Sequence, residues 1–124
     1  MSKLSALRVA AVAGFLGVAL GAFGAHGFQA ILKENGTRDI YQTAVLYHLV
    51  HALALLFLST RPAIRRIGFY AFLLGIVLFS GSLYLLALTN QKWLGMVTPF
   101  GGVGFLVGWG CLALTRSEAP EPPK

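Results

Sequence analysis

The sequence is poor in charge, and its long apolar stretches contain no acidic residue. Only 11% of the 124 residues are Asp, Glu, Lys or Arg. The carboxylates lie outside the apolar runs, at Glu34, Asp39, Glu118 and Glu121. A buried acid pair or a carboxylate-oriented catalytic triad therefore has no members. The sequence predicts no catalytic residue and favours a protein that is not an enzyme.

Cysteine and phosphate-binding signatures are also scarce. Cys111 is the only cysteine, so an intramolecular disulfide and a cysteine metal cage are excluded. The glycines from Gly101 to Gly108 superficially resemble a phosphate-binding loop, but they are not followed by the lysine that such a loop needs. Nucleotide chemistry is therefore not indicated.

What the chain has in excess is apolar length. Hydrophobic residues make up 56% of it, which leaves too few polar residues to cover the surface of a soluble globular protein of this size. The net charge of +6 would suit nucleic acid if the cations formed a surface stripe. They lie instead at the ends of apolar runs, where they meet lipid headgroups. The predicted partner is a lipid bilayer, and nucleic acid is not expected.

Four apolar runs predict an all-α, integral membrane four-helix up-down bundle with glycine-mediated packing. At 1.5 Å per residue, runs of this length cross a hydrocarbon core of roughly 30 Å. The predicted helices cover residues 9–32, 40–60, 67–91 and 93–115, within a single domain of residues 1–115. Residues 116–124 are too polar and proline-rich to fold and predict a disordered tail.

Two local alternatives stay open in the sequence. The basic N-terminus with its apolar stretch imitates a secretory signal, but the stretch is long and three further runs follow, which favours retention. Pro99 is compatible with a fourth helix that starts at Thr98, or with one that starts near Trp93 and kinks. The first of these is favoured.

The distribution of cations predicts the orientation. One side of the membrane would hold seven Lys or Arg residues (Lys3, Arg8, Arg61, Arg65, Arg66, Arg116 and Lys124) and the other three (Lys33, Arg38 and Lys92). Since cytoplasmic loops are enriched in these residues, both termini are predicted to be cytoplasmic, in the cell inner membrane. Trp93 would then anchor the opposite interface.

Small residues recur along the first and fourth runs. Ala13, Gly17, Gly21 and Ala25 are spaced every four residues, which lets another helix approach closely. Gly104 and Gly108 repeat the pattern, and they are expected to meet the first helix or a neighbouring protomer.

Polar side chains in the runs mark a candidate site. We expect His26, Tyr47 and His51 to gather in the outer half of the bundle. Ionisable residues inside a membrane are functional candidates by default, so the three could bind a ligand, although a neutral histidine that donates a hydrogen bond across the bundle is the simpler interpretation. His48 is expected to face outward. A polar network is expected from Ser80, Ser82, Tyr84 and Thr98, where hydrogen bonding between helices is the simpler interpretation.

Four segments together resemble a known family: Gly21 to Gly27 (GAFGAHG), Tyr47 to Leu55, Phe79 to Leu88 (FSGSLYLLAL) and Thr98 to Trp109 (TPFGGVGFLVGW). They resemble the bacterial domain-of-unknown-function four-two-three family, which is grouped with the eukaryotic transmembrane protein two-five-six. The resemblance implies a small four-span inner-membrane protein and no established activity. His48 stands where the family is expected to have Gln, which argues against a family role for it.

Three functions are compatible with these features. The first is a non-enzymatic accessory, scaffold or assembly module, in a homo-oligomer or a larger membrane complex. The second is an intramembrane site for haem, a metal or quinone on His26, Tyr47 and His51, with the identity of any cofactor or metal unknown. The third is a small transporter or channel.

Overall fold

The computed structural model describes residues 1–61, 66–116 and 122–124. Its elements are the helices α1 (Lys3–Ala25), α2 (Gln29–Asn35), α3 (Arg38–Ser59) and α4 (Arg66–Gly75), a π-helical turn (Ile76–Ser80), α5 (Gly81–Thr89), a 3-10 turn (Lys92–Met96) and α6 (Thr98–Ala113). Within the described residues, four stretches are long and apolar enough to cross a membrane: Lys3–Ala25, Arg38–Ser59, Arg66–Thr89 and Lys92–Ala113. We refer to these as the first to fourth spans. The predicted all-α membrane bundle is confirmed.

Two predicted features fall largely outside the described residues. The cation Arg65 and the proline before it, Pro62, which blocks continuation of a helix between the second and third runs, belong to the segment 62–65. Most of the predicted tail, residues 117–121, is likewise outside.

The first helix is shorter at its far end than the predicted 9–32. Its start is fixed by Ser2, whose hydroxyl accepts a hydrogen bond from the Ser5 N–H at 3.1 Å. It ends at Ala25, because Gly24 and Gly27 weaken the helix around His26 and the Phe28 N–H turns back to the Phe23 carbonyl at 2.8 Å. His26 is therefore a helix cap and does not lie inside a span, which corrects the sequence prediction.

The connection after α1 is hydrogen-bonded to the end of the third span. Gly36 closes α2 in the left-handed conformation. Next to it, the Thr37 hydroxyl donates to the Ala87 carbonyl at 2.6 Å, and the Asn35 amide donates to the same carbonyl at 3.1 Å. The last carbonyls of a helix lack partners within it, so these two side chains satisfy one end of α5.

The second and third spans are central and the first and fourth are peripheral. In the most apolar 18-residue window of each span, 39% and 50% of the residues are buried in the second and third spans. The corresponding shares are 22% in the first span and 17% in the fourth. The first span packs mainly on α3, and the fourth packs mainly on the third span. The outer faces of the two peripheral spans are left for lipid or partner helices.

Of the two alternatives at Pro99, the structure has the first, in which the fourth helix starts at Thr98. The helix α6 starts at Thr98 with Pro99 in its first turn, where the missing N–H has no helical partner to lose. The 3-10 turn before it extends the span back to Lys92.

The small residues of the first span follow a different periodicity from the predicted one. The buried positions of α1 are Ala6, Ala10, Ala13 and Gly17, spaced four and three residues apart. A strict four-residue stripe drifts by about 40° per step on a helix of 3.6 residues per turn. Ala25 is therefore rotated out and exposed, whereas Gly24 faces Tyr41.

The glycines of the fourth span meet the third span, which corrects the expectation that they would meet the first. Built onto Gly104, a Cβ atom would lie 3.0 Å from the Ala71 carbonyl oxygen, and on Gly108 it would lie 2.5 Å from the Phe72 ring. The topology explains the difference, since the short connection at residues 90 and 91 makes the third and fourth spans neighbours.

Candidate functional site: two histidines of the central span

His48 connects three spans. It is only 4% exposed, which contradicts the expectation that it faces outward. Its Nε2 lies 2.8 Å from the Ala13 carbonyl oxygen in the first span, and its Nδ1 lies 2.8 Å from the Tyr84 hydroxyl in the third. A carbonyl only accepts, so Nε2 carries the proton and donates it. In the neutral ring Nδ1 then accepts from Tyr84, so both ring nitrogens are satisfied.

His51 makes the corresponding connection to the fourth span. The Trp109 indole N–H donates to its Nε2 at 3.0 Å, and its Nδ1 lies 2.6 Å from the Tyr47 carbonyl oxygen. Because an indole only donates and a carbonyl only accepts, the ring is neutral with its proton on Nδ1. The imidazole also stacks on Phe105, with centroids 3.6 Å apart and planes inclined by 12°. Neither ring nitrogen is free to bind a ligand without breaking one of these bonds.

Tyr47 lies beside His51, as the spacing of four residues predicts. Its ring centroid is 6.0 Å from that of His51 and 4.6 Å from that of Phe79. The side chain is 40% exposed, and its hydroxyl makes no hydrogen bond within the described part of the chain. It is the only one of the three proposed ligands that offers a free polar atom next to the aromatic cluster.

His26 does not join this cluster. It is exposed at the end of α1, beside the connection that leads to Arg38. His51 is thirteen residues along α3 from Arg38, or about 20 Å at 1.5 Å per residue. The structure therefore brings Tyr47 and His51 together and leaves His26 beyond the end of the first span. Among the described residues, no group of three or more His, Cys, Asp or Glu side chains is placed to hold a metal ion.

The four residues expected to form a polar network make three separate contacts. The Ser82 and Thr98 hydroxyls are 2.6 Å apart and join the third and fourth spans. The Ser80 hydroxyl donates to the Ala44 carbonyl at 2.8 Å, which joins the third span to the second. Tyr84 belongs to the His48 contact. Each pair links neighbouring helices, and no continuous chain of hydrogen bonds connects them in the described residues.

A family described as "Protein of unknown function (DUF423)" matches residues 20–102. The chain belongs to this family. The match confirms the resemblance seen in the sequence. The matched range contains both histidines, whereas their contacts Ala13, Phe105 and Trp109 lie outside it.

Relatives within the DUF423 family share most of their length with this chain. It is 47% identical to the UPF0382 inner membrane protein YgdD of Escherichia coli over 88% of this chain and 86% of that protein. It is 42% identical to the UPF0382 membrane protein YwdK of Bacillus subtilis, over 80% and 85% respectively. No solved structure matches the chain. This DUF423 chain is thus a four-span membrane protein of unknown activity, with relatives that are called inner membrane proteins.

Two residues of the site were missed by sequence reasoning. Trp109 enters the sequence analysis only as the end of the segment from Thr98 to Trp109, and no contact with a histidine is predicted for it. His48 is not among the predicted ligands because it stands where the family is expected to have Gln and because an outward orientation would also accommodate it. A signal was present, since Tyr41, Ala44, His48 and Leu55 follow the three-four spacing of a buried helical seam, and all four are buried.

Proposed function

We propose that this chain is a non-enzymatic accessory, scaffold or assembly module of a membrane complex. The observation that carries the proposal is that all four ring nitrogens of His48 and His51 are engaged in hydrogen bonds, three of them with other spans. In a membrane, polar side chains used in this way hold helices together. These two imidazoles thus serve to hold the helices of the bundle together.

The surface available to a partner is the outer face of the fourth span. Phe100, Val103 and Leu106 are largely exposed there, and only 17% of that span's apolar window is buried. Small residues on the opposite side of α6 hold it tightly to the third span, so the exposed face is rigidly presented. We propose that this face contacts a second copy of the chain or another membrane protein.

Site-specific photo-crosslinking in intact membranes tests the proposal. A photoreactive amino acid replaces Val103 in the fourth span or, as the matched control, Val18 on the exposed face of the first. We expect one discrete protein adduct from position 103 and only lipid adducts from position 18. Lipid adducts alone at both positions, and at Phe100 and Leu106 as well, would contradict an assembly role.

The orientation with both termini cytoplasmic is part of the proposal. It is supported by the excess of Lys and Arg at the end of the bundle that contains Lys3, Arg61 and Arg116. Cysteine substitutions at Lys3 and at Gln91, in a Cys111→Ser background, test it with a membrane-impermeant thiol reagent. We expect intact cells to be labelled at position 91 only, and labelling at position 3 would reverse the orientation.

The alternative proposal is a binding site for haem, a metal or quinone. It is formed by Tyr47 and His51 and does not include His26. It is supported by the free Tyr47 hydroxyl next to the stacked imidazole. A purified protein with a haem Soret band or stoichiometric metal, lost on His51→Ala, would establish it in place of the scaffold. The third function, transport, would be supported by solute flux into liposomes that His51→Ala abolishes.

A further inference from the structure

A groove runs along the outside of the bundle between the first and third spans. Its volume is about 540 Å³. The walls are aliphatic side chains of the two spans: Val9, Val12, Leu16, Leu73, Ile76 and Val77. The groove exists because the first span packs chiefly on α3, so that its side toward the third span is incompletely filled.

The floor of the groove contains His48 and Tyr84, whose polar atoms are already used. The Tyr84 hydroxyl bonds to His48, and His48 bonds to the Ala13 carbonyl, which also lines the groove. An occupant therefore finds few unsatisfied donors or acceptors in the interior of the groove. This favours a hydrocarbon chain over a ligand that needs hydrogen bonds along its length.

One end of the groove carries a positive charge. Arg8 lines it and is exposed, at the point where the apolar part of the first span begins. The acidic side chains of the described residues, Glu34 and Asp39, are at the opposite end of the bundle. The Arg8 guanidinium is thus placed at headgroup level, where it can pair with a phosphate.

The length of the groove fits one leaflet. From Arg8 to Leu20, which lines its far end, there are twelve residues, or about 18 Å of helix. One leaflet of a bilayer with a core of roughly 30 Å contributes about 15 Å of acyl chain. A lipid whose phosphate meets Arg8 would therefore fill the groove with one acyl chain.

From charge, length and lining together, we propose that this groove is a binding site for an anionic phospholipid of the leaflet that faces the N-terminus. The phosphate pairs with Arg8, and one acyl chain lies between Val12 and Val77 over the His48–Tyr84 pair. The site is independent of the partner surface on the fourth span, and neither proposal requires the other.

Native mass spectrometry of the purified full chain tests the site. The probes are phosphatidylglycerol and phosphatidylcholine with identical acyl chains, titrated separately onto delipidated protein. We expect the wild-type chain to bind one phosphatidylglycerol more tightly than phosphatidylcholine. Arg8→Gln should lower the phosphatidylglycerol affinity about fivefold, the effect of one cation at a membrane surface. It should lower the phosphatidylcholine affinity less, because the choline cation already offsets the charge of that phosphate. Val12→Trp, which fills the groove, should weaken both lipids.

Matched variants separate the groove from the general lipid surface. Lys3→Gln removes a cation from the same end of the bundle without touching the groove, and Val18→Trp enlarges an exposed valine on the same helix outside it. Both should bind lipid like the wild type. Val77→Trp fills the groove from the opposite wall and replaces Val12→Trp if that variant does not fold. Equal wild-type affinities for the two lipids, or an Arg8→Gln chain that keeps the preference, would overturn the proposal.

Discussion

Two helix pairs in this bundle use small residues in different ways. Between the first and second spans, the glycines of α1 make room for side chains: a Cβ on Gly17 would meet Leu49 Cδ2 at 2.6 Å, and one on Gly21 would meet Val45 Cγ1 at 3.3 Å. Between the third and fourth spans, a Cβ on Gly101 would lie 2.7 Å from the Phe79 Cα, in the backbone itself. Glycine thus makes room for side chains in both pairs, as at Gly108 beside the Phe72 ring, but only the third and fourth spans also bring backbone into contact.

Hydrogen bonds follow the same division. The first span is held by two long side chains of α3 that reach its backbone, from Tyr41 to the Leu20 carbonyl and from His48 to the Ala13 carbonyl. The fourth span approaches closely enough for the short Ser82 and Thr98 hydroxyls to meet directly. Close backbone approach therefore replaces long polar side chains, and the two pairs should respond differently to substitution.

The largest effect is expected from Gly101→Ala. The added methyl group would collide with the Phe79 backbone in the π-helical turn, which cannot move aside without shifting the whole span. We expect the free energy of unfolding to fall by about 3 kcal/mol or more, at the upper end for overpacking. Reversible unfolding in mixed micelles with increasing SDS measures it.

The adjacent glycine is the control for this prediction. The atom nearest to a Cβ on Gly102 would be Phe79 Cδ2, at 3.8 Å, which is an ordinary van der Waals distance. Gly102→Ala should therefore leave stability unchanged or raise it slightly. Equal losses for the two variants would show that the fourth span does not pack through the backbone at Gly101.

A smaller loss is expected from Gly21→Leu in the first pair. Its nearest neighbour is the end of the Val45 side chain, so the larger residue displaces side chains and leaves the backbone of α3 in place. We expect a loss of about 1 to 3 kcal/mol through overpacking in the same SDS titration. Unchanged thermal stability and extraction behaviour would show that this face of α1 is open to lipid.

Two hydrogen bonds of the third span, one to the second span and one to the fourth, are also expected to differ in strength. Tyr84→Phe leaves the buried Nδ1 of His48 without its partner, whereas Thr98→Val leaves Ser82 with a second bond to the Phe79 carbonyl at 3.0 Å. We expect Tyr84→Phe to cost about 1 kcal/mol and Thr98→Val about half of that, within the range measured for bonds between membrane helices. A double-mutant cycle of Tyr84→Phe with His48→Leu isolates the first contact, and a coupling energy of zero would contradict it.

Much of the architecture could be predicted from the sequence because the bilayer imposes it. Four apolar runs flanked by cations specify four spans, and the turn at Gly36 is marked by the preceding Asn35. The break at His26 was not predicted, since the run remains apolar up to Leu32 and only hydrogen bonds among residues 23–29 reveal where the helix ends.

The candidate site was harder to predict than the spans. A central helix is covered on several sides, so its apolar pattern does not show which polar residue faces which neighbour. His48 and His51 are three residues apart, yet one points to the first and third spans and the other to the fourth. Their roles depend on Ala13 and Trp109, which are distant in sequence and give no sign in the sequence of a contact with a histidine.

The smallest effect is expected from Gly14→Ala. This variant tests whether the direction in which a glycine faces on α1, and not the presence of glycine as such, determines its effect on stability. A Cβ on Gly14 would meet no atom within 4 Å, although Gly17 is less than one turn away and faces Leu49. Alanine favours a helix over glycine by up to about 1 kcal/mol, so Gly14→Ala should raise stability slightly in the SDS titration. Gly17→Ala should lower it, because Leu49 must move to admit the methyl group. If both variants behaved alike, glycine would act in α1 through backbone flexibility, and the notch that it provides for α3 would contribute nothing to the bundle.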